Sequence, residues 1–205
     1  MQVYTLEQGA KLVKNARYTI ELLLTSPKFS TELIEKRLAE FDQRHGVFVT
    51  LYEYQTMSLR GCIGFTEGIE PMRKLLPQAA IAAATEDPRF EPVSREELQS
   101  IIIEVSILSE PKPIKGKPEE LEKQIKIGQD GLIIQYGFYS GLLLPIVAVE
   151  EKWTPRQFLE NVCIKAGLPA YTWRQQGVSL FKFSTQVFRE KEPNGQIEEV
   201  KLDSI

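Results

Sequence analysis

Histidine and cysteine are nearly absent from this chain, which holds one histidine, His45, and two cysteines, Cys62 and Cys163. That poverty excludes a Cys/His zinc site, and neither HExxH nor CxxC occurs. Cysteines 101 positions apart do not form a disulfide framework. Both are therefore expected as free thiols in a reducing cytoplasm. Excess positive charge is missing too: 25 Lys and Arg stand against 28 Asp and Glu, giving a net charge of -3 and a pI near 5.5. No basic footprint for nucleic acid exists. Long apolar runs are also lacking. The longest, GLLLPIVAV at 141–149, falls short of the ~20 residues of a membrane span and carries Pro145. The N-terminus shows no basic-then-apolar secretory layout.

Phosphate loops and serine elbows are likewise not found. GCIGFTEG has three glycines but neither GxGxxG nor GK[ST], and GFYSG sets its serine one place late for GxSxG. Glu86-Asp87 before Pro88 suits a helix end and a turn better than a carboxylate metal site. No metal and no cofactor is expected.

What remains is an ordinary globular composition, 42% apolar and 26% charged, in a length that suits one large domain or two small lobes. Thr5 and Gln8 have capping-box spacing, and Leu6, Ala10, Val13, Ala16, Ile20 and Leu24 then predict a helix over 6–24. Ser30, Leu33, Ile34, Leu38 and Phe41 predict a second helix ending near His45-Gly46. GVFVTLYEY and the stretch 59–65 read as adjacent strands joined by a turn at 55–58. A helix follows Pro71, with a kink or late start expected at Pro77. DPRFEPVSREEL reads as loop, with Ser94 and Glu97 as a capping box. IIIEVSILS is a buried strand.

PKPIKGKPEELEK reads as an exposed connection. QIKIGQDGLIIQYG reads as a hairpin looped at 128–131, and FYSGLLLP as a strand stopped by proline. WTPRQFLENVCIKAG carries a full helix signature in Thr154, Pro155, Gln157 and Gly167. VSLFKFSTQVF is the last strand, expected to pair with one from the N-terminal half. The polar stretch 191–205 is expected to be a mobile tail. Strands in hairpins and helices in separate groups favour an α+β fold with a mainly antiparallel sheet.

The chemistry concentrates in SLRGCIGF. On a strand, Arg60, Cys62 and Gly64 share one face, and Leu59, Gly61 and Ile63 the other. Arg60 and Cys62 then stand ~7 Å apart. A full charge at that range is worth about 0.6 kcal/mol in water and about 2.4 kcal/mol at an effective dielectric near 20. In a partly enclosed cleft Arg60 would thus lower the thiol pKa from its reference of about 8.5. Gly61 and Gly64 would admit a ligand or another backbone. The plain alternative is that Cys62 is a small hydrophobe in a tight contact. Cys163, on an amphipathic helix, fits that description better still. His45 reaches Cys62 only if it lies at the matching end of an adjacent strand, and otherwise caps or decorates the surface.

LRGCIGF, preceded by GVFVTL and followed by AAATEDPRFEPV, EVSIL, GQDGL, YSGLLLP and CIKAGLP, resembles the AMMECR family across residues 5–190. The resemblance implies one domain over 1–205 with two unequal lobes, the larger from both chain ends and the smaller from the middle, with a cleft between them. It points to Leu59, Arg60, Gly61, Cys62, Ile63, Gly64, Asp87, Arg89 and Phe90 as motif positions. It implies Memo-like and radical-SAM partner proteins, and it supplies no reaction. Relatives often read LLPQV or LLPEV where this chain has Leu144-Pro145-Ile146-Val147, a departure at Ile146. The leading expectation is a site in which Arg60, Gly61, Gly64, Asp87 and Arg89 hold a small anionic ligand or a partner's group. Cys62 is the candidate catalytic thiol, Arg60 its activator and Asp87 an orienting acceptor. The rival expectation is a non-catalytic interaction domain whose RGCIG strand is structural.

Overall fold

Helix α1, Leu6–Thr25, begins as its capping box dictates: the Thr5 hydroxyl accepts from Gln8 N–H, and the Gln8 side chain accepts from Thr5 N–H. The computed structural model describes residues 4–26 and 28–201. The chain divides into two compact units, one running up to Leu108 and resuming over Gln186–Val200, the other covering Ser109–Thr185.

In the first unit, α1 is followed by a short helix α2 (Glu32–Arg37) and strands β1 (Gly46–Glu53) and β2 (Leu59–Phe65). The second helix is shorter than its periodicity suggests, since Leu38 N–H closes on Ile34 O and the chain then turns. Helix α3 (Met72–Thr85) runs without a break through Pro77. The proline lies in the second turn, where only one backbone bond is forgone. The Ser94–Glu97 box forms in both directions and leads through a 3-10 turn, Glu97–Ser100, into β3 (Ile101–Leu108).

Strands β1, β2 and β3 form an antiparallel sheet with β1 central. Alternation decides its two faces. Val47, Val49, Leu51, Ile101, Ile103, Val105 and Ile107 point into a core built with α1 and α3. Thr50, Cys62, Glu104 and Ser106 occupy the other face, with Cys62 opposite Thr50 and Thr50 opposite Glu104.

The second unit opens on two elements within the stretch read as an exposed connection: β4 (Lys112–Ile114) and helix α4 (Pro118–Lys123). Pro118 is the reason, because it sits at the first helical position, where its missing N–H costs nothing. Strand β5 (Asp130–Tyr136) pairs with β6 (Tyr139–Leu143). The hairpin loop is therefore Gly137-Phe138 and not 128–131. That earlier segment is a turn in which the Asp130 carboxylate accepts Lys126 N–H. Pro145 ends β6 as expected but also starts a helix, α5 (Pro145–Glu150), on which Ile146 lies half-buried. Helix α6 (Pro155–Lys165) has the complete Thr154–Gln157 box, and Gly167 beyond it takes φ +75.

Strand β7 (Ser179–Glu190) pairs with β4 and β5 and neighbours β3 in the sheet order. Its last residues, 186–190, belong to the first unit. The tail expected to be mobile is ordered through Val200, because Asn194 and Gly195 turn the chain and β8 (Ile197–Val200) pairs with β7. Residues 202–205 of that tail lie outside the described residues. Among the described residues no helix is long and apolar enough to cross a membrane.

Across the first unit runs a fully buried ion pair. The Arg17 guanidinium meets Glu190 with Nε–Oε1 and Nη2–Oε2 both at 2.6 Å, and Arg17 also donates to Leu98 O and Ile101 O. Glu190 accepts Ile103 N–H in turn. One side-chain pair thus joins the first helix, the third strand and the last long strand.

Candidate functional site

Side-chain parity on β2 is the one read from the sequence. Gly61 faces α3 and Cys62 faces away, hydrogen-bonded to Thr50 at a separation of 3.2 Å (Sγ–Oγ1). The space beside both glycines is filled by the protein itself. A Cβ on Gly61 would run into the Ala83 carbonyl oxygen, and one on Gly64 into Val47 O and the Phe48 backbone. Of the two close approaches expected at these positions, a ligand or another backbone, neighbouring backbone is the one present. Gly61→Ala is expected to lower the unfolding free energy by about 2–3 kcal/mol in urea titrations, because helix backbone cannot yield as a side chain does.

β2 is an edge strand, and the segment after α3 closes that edge. Asp87, buried, accepts Cys62 N–H at 2.8 Å with Oδ2. The same carboxylate takes Arg89 in a two-pronged pair, Nε to Oδ1 at 2.9 Å and Nη2 to Oδ2 at 2.7 Å, and it also accepts Arg89 N–H. The Asp87 carboxylate thus takes the place of a neighbouring strand at the Cys62 N–H. The Arg89 hydrogen bonds, followed by those from the Cys62 and Arg89 backbones, outweigh burial and hold its carboxyl far below the usual carboxylate range.

Arg60 takes another direction from the one expected. Its guanidinium is paired with Glu97 through Nε and Nη2 and donates to Glu91 O. The Phe90 ring stacks with both arginines, its centroid 5.6 Å from the Arg60 guanidinium and 5.4 Å from that of Arg89. The Arg60 side chain is only 12% exposed, whereas that of Arg89 is 53% exposed. The open cation beside Cys62 is therefore Arg89.

The electrostatic expectation for the thiol is reversed. Burial pushes the Cys62 pKa up from its ordinary value. The Thr50 hydrogen bond and Arg89 pull it down, while Glu104 and Asp87 add to the rise. The net direction is upward, so at neutral pH the group is a thiol. His45 does not serve as its base. Cys62 lies opposite Thr50, five residues along the chain from His45, or roughly 17 Å of extended strand. His45 instead packs edge-on to Tyr4 with ring centroids 5.9 Å apart. Cys163 is completely buried, its Sγ donating to Leu159 O, in the manner of a small core residue.

The sequence named Arg60, Cys62, Asp87 and Arg89, and the fold brings all four to one edge of one sheet. Thr50, Glu97 and Glu104 were missed. Counting back through the 55–58 turn would have set Thr50 near Cys62. Glu97 had a local explanation as a cap, which concealed its second partner.

Antiparallel sheets flanked by helices, with a glycine-rich edge strand clamped by a buried aspartate, define an α+β protein. The chain belongs to the AMMECR1 family, whose family model matches residues 13–188. Protein MJ0810 of Methanocaldococcus jannaschii is 48% identical over 203 residues, covering 98% of this chain and all of that one. Protein PF1979 of Pyrococcus furiosus is 44% identical, covering 96% and 94%. The crystal structure of Uncharacterized Protein PH0010 from Pyrococcus horikoshii matches with a TM-score of 0.88 at 42% identity, over 95% of this chain and 97% of that one.

Proposed function

We propose that the Cys62–Arg89 edge of the first unit binds a small anionic ligand, or an anionic group carried by a partner, and does so with a neutral thiol. The observation that carries this reading is the pair made by Asp87 and Arg89. A buried carboxylate fixes one side of a guanidinium whose side chain is otherwise 53% exposed. An arginine held this way offers its remaining donors in a set orientation, which suits carboxylate or phosphate. Asp87 cancels most of its net charge, so recognition rests on hydrogen bonds and the affinity is modest.

Cys62 is a contact in this proposal before it is a nucleophile. A thiolate is the reactive form, and burial with two nearby carboxylates works against it. Arg60 serves as a positioning residue that pins the loop carrying Arg89, through Glu97 and Glu91 O. The proposal sets the chain in a reducing cytoplasm, where Cys62 and Cys163 both remain free. Memo-like and radical-SAM proteins stand within it as candidate partners that would present the anionic group.

Iodoacetate and iodoacetamide, one anionic and one neutral, test the reading when Cys62 modification is followed by peptide mass spectrometry. An anion-orienting Arg89 raises the iodoacetate-to-iodoacetamide rate ratio above that of a free thiol. Arg89→Gln returns the ratio to the free-thiol value, and millimolar phosphate or succinate slows both reagents in the wild type alone. Equal ratios in wild type and Arg89→Gln, with no slowing by either anion, reject the proposal.

The second reading, an interaction domain in which the RGCIG strand is structural, draws support from the backbone packed against Gly61 and Gly64. Under it Cys62→Ser leaves partner binding intact in a pull-down, and Cys62→Ala costs stability alone.

A further inference from the structure

Sheet edges in this chain are closed in familiar ways, with one exception among the described strands. Asp87 takes the outward Cys62 N–H of β2. β4 carries Lys112 and Pro113, and β8 carries Glu198 and Glu199. Charges, prolines and covering loops are the devices by which proteins keep edges from pairing. β6 ends the strand order of the second unit, and its sequence, YSGLL, carries neither charge nor proline; the end of α6 at Ala166 packs against Gly141.

The hairpin geometry shows what β6 offers. Its loop is Gly137-Phe138, with Gly137 at φ +59 and Tyr136 opposite Tyr139, the two-residue arrangement that takes glycine first. Residues flanking such a loop bond each other. Alternation then sends the N–H and C=O groups of Tyr139, Gly141 and Leu143 toward β5, and those of Ser140 and Leu142 outward. Among the described residues, none of the backbone hydrogen bonds made outside the ladders involves Ser140 or Leu142. Beside this edge, Phe138 is fully exposed and Tyr139 is 55% exposed.

We infer that β6 pairs antiparallel with β6 of a second copy of this chain, about a two-fold axis through Gly141. The outward positions lie symmetrically around that glycine. Ser140 of one copy faces Leu142 of the other, and the two such pairs make four hydrogen bonds. Gly141 faces itself at a non-hydrogen-bonded position, where Cα atoms approach to about 4.5 Å. The same register sets Tyr139 against Leu143 and Phe138 against Leu144 of the second copy, both half-buried aliphatic residues. Exposed aromatics thus find apolar partners without any rearrangement of the hairpin. The contact is isologous and closes at two copies. A single strand pair makes a small interface, so the dissociation constant falls within about the 10–100 µM range.

Sedimentation equilibrium of the whole chain from roughly 5 to 500 µM tests the inference, with hydrogen exchange as a second readout. The expected wild-type result is a monomer–dimer equilibrium in which the Ser140 and Leu142 amides become protected only at the dimer-forming concentrations. Leu142→Pro removes one outward N–H and leaves the β5 ladder intact, as edge positions tolerate. It is expected to be monomeric with an unchanged circular dichroism spectrum. Phe138→Ser, which leaves every backbone group in place, is expected to weaken the dimer at least fivefold and decides the matter if Leu142→Pro does not fold. A wild type that stays monomeric throughout overturns the inference. So does a dimer unaffected by Phe138→Ser, or one in which the two amides stay unprotected.

Discussion

Arg17→Met removes about 3–5 kcal/mol from the unfolding free energy, the cost of leaving a buried charge without its partner. The pair is bidentate and buried at both ends, with side chains 5% and 2% exposed, so neither solvent nor salt screens it. Glu190 would keep Ile103 N–H as a donor, which is too little for an ionised carboxylate out of water. Domains are stable by only about 5–15 kcal/mol, so the variant approaches the limit at which the first unit folds. The double variant Arg17→Met/Glu190→Met recovers part of the loss, since no charge is then stranded. It does not recover all of it, because Ile103 N–H and the carbonyls of Leu98 and Ile101 lose their partners. Urea unfolding followed by circular dichroism reads both values. A loss below about 1 kcal/mol for Arg17→Met would show that the carboxylate finds another partner or water.

Asp87→Asn is the second large effect, a loss of about 2–4 kcal/mol at neutral pH. The amide has the size of the carboxylate, but its NH2 group opposes donors on Arg89 and the Cys62 backbone. The pH dependence follows from the direction of the Asp87 shift. Its folded-state pKa is depressed, chiefly by Arg89, below an unfolded value of about 3.9. The stabilisation is therefore complete above that unfolded value and is lost as pH falls through the folded one. The gap between wild type and Asp87→Asn stays constant from neutrality to about pH 5 and narrows below about pH 4. Unfolding free energies across an acid series measure it. A gap that instead widens as pH falls would mean that Asp87 stabilises the fold in its neutral form.

What could be read from the chain in advance was local. The bounds of β2, the two helix capping boxes and the split of Arg60 and Cys62 from Leu59, Gly61 and Ile63 all follow from alternation or from a cap three residues away. Partnerships across the sequence could not be read. Glu97 lies 37 positions from Arg60 and Glu190 lies 173 from Arg17, and no period links them. Charge at a fixed separation made Arg60 the natural activator of Cys62, but a nearer anion turned it away.

Some local signals were present and misread. Asn194-Gly195 is a strong hairpin signal, and it orders the stretch taken for a loose tail. Pro145 read as a stop and Pro118 as part of an exposed connection, yet each opens a short helix. Proline stops one element and suits the first turn of the next, so its meaning depends on the residues after it.

The account turns on the protonation of one sulfur. Cys62 alkylation by iodoacetamide, followed from pH 6 to 10 and resolved by peptide, gives its titration midpoint directly. The account predicts a midpoint above that of an ordinary thiol, about 8.5, and a downward move in Asp87→Asn, where one of the raising carboxylates is gone. A midpoint at or below about 7.5 in the wild type would contradict it and return Cys62 to the rank of an activated nucleophile.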